Sequence, residues 1–198
     1  MKNILIIFGL LVNSVYGQMS WKSADSIMLK FYPELKKLLP LNNDSVQIYF
    51  TKMINDHRVL NGLNKMNVDT NLKSMSFDQL NYVSKIGKLT HEQPSKDKRH
   101  SWDRAKFYGV KCVYTGENLI GGAPSGKYVY YYRISSKYKS NSLSYMYAKD
   151  MFDGWKSSVG HNKNMLSVDW DSFYFNYKEI ESNGNWFLYG ITNFKKSQ

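Results

Sequence analysis

Apolar side chains recur every three or four positions, the spacing of a helix face, in four stretches of the chain. Asp44 or Ser45 can cap the first of these helices, and Gly62 ends it. Asp69 or Thr70 can cap the second helix. One face of each helix is therefore predicted to pack inward. The four predicted helices cover about 44–62, 70–86, 102–108 and 143–158, and the inward residues predicted for the first two are Val46, Tyr49, Met53, Leu60, Leu72, Met75, Gln79, Leu80, Val83 and Ile86.

Two strands are predicted to close the chain, over 167–180 and 186–194. The Asn183-Gly184 pair between them is a strong hairpin signal. Residues 110–114 also have an extended pattern, and 128–134 are rich in β-prone residues. Strands do not alternate regularly with helices, so an α+β fold is predicted, with helices enclosing a small, mostly antiparallel sheet.

The N-terminal 17 residues have the pattern of a signal peptide, with Lys2 before an apolar run and cleavage predicted after Gly17. The run is too short to span a bilayer, and no later segment is long and apolar enough. An exported product, secreted or periplasmic, is therefore predicted. Residues 18–43 are predicted to form an extension lying across a single domain of residues 44–198, in which 121–142 is an insertion.

The formal net charge of +11 favours contact with anionic polymers or lipid headgroups. However, the lysines are scattered, which is also typical of a merely solvated basic surface. No nucleic-acid recognition motif is present. Cys112 is the only cysteine, which excludes an intramolecular disulfide, and it is predicted to be a buried, inert thiol.

Three short motifs each leave a polar side chain at the predicted end of an element. The fourth helix is predicted to break at Gly160, so that His161 is held just past the break by backbone geometry. Taken singly, such residues are more often capping or surface residues than ligands. The motifs are Leu89-Thr90-His91, Gly116-Glu117-Asn118-Leu119 and Gly160-His161-Asn162-Lys163-Asn164.

In this order and spacing, these motifs and their neighbours resemble the CAP superfamily, which includes cysteine-rich secretory proteins, insect venom antigen five and plant pathogenesis-related proteins. The resemblance runs from about Val46 to Phe194. Its landmarks are Ile54-Asn55-Asp56-His57-Arg58, Asn61-Gly62-Leu63, Thr90-His91, Trp102-Asp103-Arg104, Gly109, Gly116-Glu117-Asn118, Trp155, Gly160-His161 and Asn164-Met165-Leu166.

The resemblance implies an α-β-α sandwich with a central cavity of two histidines and acidic residues, which in some members binds a divalent metal such as zinc. The matching positions are His91, Glu117 and His161, the two histidines being the implied metal ligands. The cavity residues predicted on this basis are His91, Glu117, His161, Asn118, Asn164 and Trp155.

The chain also departs from the family pattern. Ser157 and Ser158 follow Trp155 where many animal members carry a second glutamate. The animal and plant disulfides are absent, which points to the cysteine-poor, bacterial-like branch. Bulky side chains at 173–175 replace frequent glycines.

Two functions follow from the implied cavity. The first is a binding or interaction module whose cavity holds a divalent metal or small ligand, with lipid, glycan or a cell-surface protein as partner. The alternative is a metal-assisted, peptidase-like hydrolase with Glu117 as general base. The same residues also fit a hydrogen-bonded network that only braces the fold, in a scaffold with a vestigial cavity. A serine triad is disfavoured because no nucleophile-elbow sequence surrounds Ser157 or Ser158.

Overall fold

The structure is a computed structural model that describes residues 19–38, 41–140 and 142–198. The predicted signal peptide lies outside these residues. Short 3-10 helices cover Pro33–Leu38, Thr70–Leu72 and Lys96–Lys98. The α-helices and strands of the described chain are α1 (Trp21–Phe31), α2 (Asn43–Leu60), β1 (Asn67–Val68), α3 (Lys73–Ile86), α4 (Ser101–Phe107), β2 (Tyr114–Gly121), α5 (Lys127–Tyr138), α6 (Leu143–Ser157), α7 (Val159–Met165), β3 (Ser172–Ser182) and β4 (Asn185–Lys196).

The strands form one sheet in the order β1-β3-β4-β2. Only the short β1 pairs in parallel, with β3, and the other two pairings are antiparallel. Asn183 and Gly184 have φ values of 50° and 73°. Two positive φ values in a two-residue loop give the turn type whose twist suits a hairpin. The predicted hairpin and the small, mostly antiparallel sheet are therefore confirmed.

Helices cover both faces of this sheet because alternate residues of each strand point to opposite sides. On one face, Phe175 of β3 stacks on Phe50 of α2 with ring centroids 4.2 Å apart, and the fully buried Trp155 of α6 packs edge-on against both. On the other face, Leu119 of β2 packs with Leu80 of α3. These layers form the predicted α-β-α sandwich.

The ends of α2 and α3 differ slightly from the prediction. Asn42, rather than Asp44 or Ser45, caps α2 by accepting a hydrogen bond from the backbone N–H of Ser45. Leu60 and Ile86 were predicted to face inward, but they are 84% and 44% exposed. Each lies in the last turn of its helix, at the margin of the buried stripe.

Helix α5 occupies the stretch for which sequence propensity predicts a strand. Three of its side chains, Tyr130, Tyr131 and Ile134, are buried at helical spacing. Its N-terminus is capped from α1, where the Asp25 carboxylate accepts three backbone N–H groups at 2.8–3.0 Å. Tertiary packing and this distant cap outweigh the β propensity of the aromatic run. The predicted domain boundary before Asp44 remains a prediction.

Strand β2 begins at Tyr114, later than the predicted extended stretch, and includes the whole polar motif Thr115 to Leu119. Cys112, just before it, is half-buried rather than fully buried, and its partial burial raises the pKa of the thiol. Within the described ranges, no helix combines the length and the apolar character needed to cross a membrane.

Candidate functional site

The candidate site is built on the edge strand β2, which pairs with β4 on one side only. Gly116, Glu117 and Asn118 are consecutive residues of this strand, so their Cα substituents alternate between the two faces of the sheet. Glu117 faces the α3 and α4 side, with Asn193 of β4 directly opposite it. Gly116 and Asn118 face α7 on the other side. The side chains of this motif therefore make contacts on both faces of the sheet.

The Glu117 carboxylate is the centre of the first face. It accepts hydrogen bonds from His91 Nδ1 at 2.9 Å, from Arg104 Nη2 at 2.6 Å and from Asn193 Nδ2 at 3.0 Å. Ser76 Oγ lies 2.7 Å from Asn193 Oδ1, which fixes the orientation of that amide. The Glu117 side chain is only 3% exposed. Its charge is thus paired inside the protein rather than offered to solvent.

Arg104 also shapes the loop that carries His91. The buried guanidinium reaches back from α4, and its Nη1 lies within 3.1–3.3 Å of three loop carbonyls, those of His91, Lys98 and Arg99. The His91 ring donates Nδ1–H to Glu117, while its side chain remains 57% exposed. Carboxylate and loop together fix the imidazole so that its Nε2 atom is the nitrogen left for another molecule.

Asn118 organises the opposite face. Its Nδ2 donates to the backbone carbonyl of His161 at 3.0 Å, and its Oδ1 accepts from Asn164 Nδ2 at 2.8 Å. Trp170 Nε1 in turn donates to the carbonyl of Asn164 at 2.9 Å. A Cβ atom on Gly116 would lie 2.7 Å from the Trp170 ring. Glycine is required there because the indole packs directly against the strand.

His161 does not follow a helix break at Gly160 as predicted. The break lies at Ser158, whose extended backbone (φ −91°, ψ 120°) separates α6 from α7, and Gly160 lies inside α7. Burial lowers the pKa of His161, and a smaller contribution comes from the charge of His91. The two imidazoles are therefore close enough to interact electrostatically. Among the described residues, however, the His161 ring makes no hydrogen bond to Glu117.

The structure brings together most of the residues that the sequence singled out. His91 bonds Glu117, while Asn118 donates to the backbone carbonyl of His161 and accepts a hydrogen bond from Asn164. Trp155 lies in the hydrophobic core, fully buried, and presents no surface to the site.

Two residues with direct roles at the site were missed by the sequence interpretation. Arg104 is one of the landmarks of the family resemblance but has no predicted role, and its i, i+3 spacing after Ser101 gives no hint of a partner. Asn193 could have been found from strand register, because the hairpin places it opposite Glu117.

The donor set does not fit a metal site formed by His91 and His161, with or without Glu117 as a third ligand. No group of three or more His, Cys, Asp or Glu side chains with metal-binding placement occurs in the part of the chain that the structure describes. Glu117 is paired with the Arg104 cation and so is not free to ligate. His91 and His161 alone are fewer ligands than zinc sites in proteins use.

Two features define the class of protein. One is the three-layer α-β-α sandwich, and the other is a glutamate on its edge strand that is hydrogen-bonded to a histidine. The chain belongs to the cysteine-rich secretory protein family (CAP), whose sequence profile matches residues 51–190. No curated protein sequence matches the chain.

Solved structures of bacterial proteins share the fold. An outer surface protein from Borrelia burgdorferi superposes with a TM-score of 0.56 at 15% identity, over 78% of this chain and 94% of that one. An extracellular protein containing an SCP domain from Bacillus anthracis gives a TM-score of 0.53 at 15% identity. The match covers 80% of this chain and 45% of the Bacillus anthracis chain.

Proposed function

We propose that the chain is an exported binding module whose site recognises a polar group through the imidazoles of His91 and His161. The observation that carries this proposal is the state of Glu117. Both of its oxygens accept hydrogen bonds from within the protein, and the side chain is 3% exposed. A carboxylate in this state orients a neighbouring imidazole but does not bind a ligand itself.

The predicted hydrolase alternative gains no support from this arrangement. A general base must accept a proton from water or substrate within hydrogen-bonding reach. Glu117 is instead shielded and paired with Arg104 at 2.6 Å. The free Nε2 of His91 can accept a hydrogen bond from a ligand hydroxyl when the ring is neutral, and can donate one to a carboxylate or phosphate when the ring is protonated. Lipid headgroups and glycans carry such groups, and the net charge of +11 favours anionic forms of either.

Arrays of glycans and of lipids, probed with the purified chain, test the proposal. A ligand of this site is expected to be retained by the wild type and lost by the His91→Ala/His161→Ala double variant. His100→Ala is the matched control, because His100 lies outside the site, stacked on Trp102. The same arrays run at high salt separate specific contacts from long-range attraction, which is screened beyond a few ångström at about 1 M.

Two results would overturn the proposal. Retention of every array ligand by the double variant would show that the imidazoles do not bind them. Turnover of peptides or esters that a chelator abolishes and zinc restores would instead establish the hydrolase. Zinc titration of the wild type and the double variant measures metal binding directly. A zinc affinity that is unchanged in the double variant excludes these histidines as ligands.

A further inference from the structure

A second candidate binding site lies beside the loop that follows β2. A cavity of about 310 Å³ is lined by apolar side chains that include Ile120, Met151 and Leu188, and by the aromatic rings of Tyr130 and Trp186. Ligand sites in proteins start at about 300 Å³ and are mostly apolar, with a few polar groups that orient the ligand. The cavity is separate from the Glu117 network, because Ile120 points to the opposite face of β2.

The polar groups of this cavity come from α5 and α6. The Asp150 carboxylate accepts hydrogen bonds from four side chains at 2.9–3.3 Å, those of Tyr130, Arg133, Lys137 and Tyr138. Burial raises the pKa of Asp150, but the charges and hydrogen bonds of Arg133, Lys137 and Tyr138 together lower it further, so the pKa lies below its ordinary value. Asp150 therefore stays ionised and is already satisfied by donors of the protein.

Arg133 differs from Asp150 because it retains free donors. It lines the cavity, is 48% exposed, and donates only to Asp150 among the described residues. Guanidinium has five N–H groups, so three remain for another acceptor. Lys137 adds a second cation beside the single Asp150 carboxylate. An incoming group therefore meets a net positive charge at the polar end of an otherwise apolar cavity.

We propose that this cavity binds a small organic carboxylate. The apolar body of the ligand packs against Ile120, Met151 and Leu188, and its carboxylate accepts hydrogen bonds from Arg133. An alcohol of the same shape loses the charge-assisted hydrogen bond, and an amine meets two protein cations. The inference goes beyond the proposed function, because none of these side chains belongs to the His91 and His161 site.

Three probes with one carbon skeleton test the ligand class: 3-phenylpropionate, 3-phenylpropan-1-ol and 3-phenylpropylamine. Each is titrated into the 15N-labelled chain while the amide signals of Ile120 and Leu188 and the indole signal of Trp186 are followed by NMR. The carboxylate is expected to shift these signals with a Kd in the millimolar range, as its small size dictates. The alcohol and the amine are expected to bind at least about tenfold more weakly.

Matched variants separate this site from the first. Arg133→Met keeps the apolar stem and is expected to weaken 3-phenylpropionate binding at least about tenfold, and Arg133→Lys less. Lys137→Met, one turn further along α5, removes an equal charge outside the cavity lining and should have the smaller effect. His91→Ala/His161→Ala should bind the probe like the wild type, whatever the fate of the first proposal. Thermal unfolding verifies that each variant is folded.

Any of three results overturns the inference: equal binding of acid and alcohol, unchanged binding by folded Arg133→Met, or no shift of the Ile120, Leu188 and Trp186 signals with any probe.

Discussion

Replacing Arg104 with methionine tests the idea that this buried cation holds the candidate site together. Methionine keeps most of the side-chain volume but removes the charge and every hydrogen bond. The change deletes the 2.6 Å ion pair with Glu117 and frees three loop carbonyls. Because the Arg104 and Glu117 side chains are 0% and 3% exposed, the Glu117 carboxylate is left inside the protein without its arginine partner.

Removing one partner of such a buried pair costs about 3–5 kcal/mol of unfolding free energy. For a chain of this size, each kcal/mol corresponds to about 2–4 °C in Tm, so a decrease of about 6–20 °C is expected. Urea unfolding followed by circular dichroism measures the free energy, and a thermal scan measures Tm. Arg133→Met is the control, because Arg133 is 48% exposed and its partner Asp150, 16% exposed, keeps three other hydrogen-bond donors, so the loss should be about 1 kcal/mol.

A double-mutant cycle isolates the pair itself. Glu117→Gln removes the buried charge, so the Arg104→Met/Glu117→Gln double variant should be more stable than the sum of the two single losses implies. The reasoning is refuted if Arg104→Met destabilises the chain no more than Arg133→Met does. Strict additivity in the cycle would likewise show that the two side chains are not coupled.

Three further predictions concern the surroundings of the site and the N-terminal cap. NMR titration should give His161 a pKa below its ordinary value of 6.5, mainly because it is buried, and His91→Gln should raise that pKa by removing the electrostatic contribution of His91. Since the unfolded chain binds this proton more tightly, stability should fall as the pH drops from about 6.5 to the folded pKa of His161. Gly116→Ala should destabilise the chain by about 1–3 kcal/mol through overpacking against the indole, whereas Gly160→Ala, with open space around its Cβ position inside a helix, should stabilise it by up to about 1 kcal/mol. Asp25→Ala should cost about 1–2 kcal/mol by uncapping α5, and Asp25→Asn less.

Each of these predictions has an outcome that contradicts it. If His91→Gln left the pKa of His161 unchanged, the two imidazoles would not interact electrostatically. Equal effects of alanine at 116 and at 160 would show that the indole does not press on the strand, and both are measured by urea unfolding. If Asp25→Ala left the free energy of unfolding unchanged, the Asp25 carboxylate would not stabilise the start of α5. The hydrogen-exchange rates of the first α5 amides measure the same contact independently.

Features that depend on neighbouring residues could be predicted from the sequence. The hairpin is an example, because Asn183 and Gly184 themselves adopt the positive φ values that the turn requires. The helix end at Gly62 is similar, because that glycine also has a positive φ. The order of the histidine and glutamate motifs was sufficient to recognise the family and, through it, the sandwich.

Features that depend on distant partners could not be predicted. Helix α5 was predicted to be a strand because its cap, Asp25, lies about a hundred positions earlier in the chain. The paired state of Glu117 depends on Arg104 and Asn193, which reach it through tertiary packing and strand register. The helix break at Ser158 was predicted at Gly160 because glycine is the usual signal, whereas an extended serine performs the same turn here.

The alternation of side chains along β2 has an evolutionary consequence. Odd-numbered residues of the Gly116 to Leu119 stretch contact the arginine side of the sheet, and even-numbered residues contact the tryptophan side. A substitution on one side therefore leaves the other side's partners in place. A mutation that alters the contacts around His91 can therefore be accepted without disturbing those that hold His161, although both sets of contacts start from neighbouring residues of one strand.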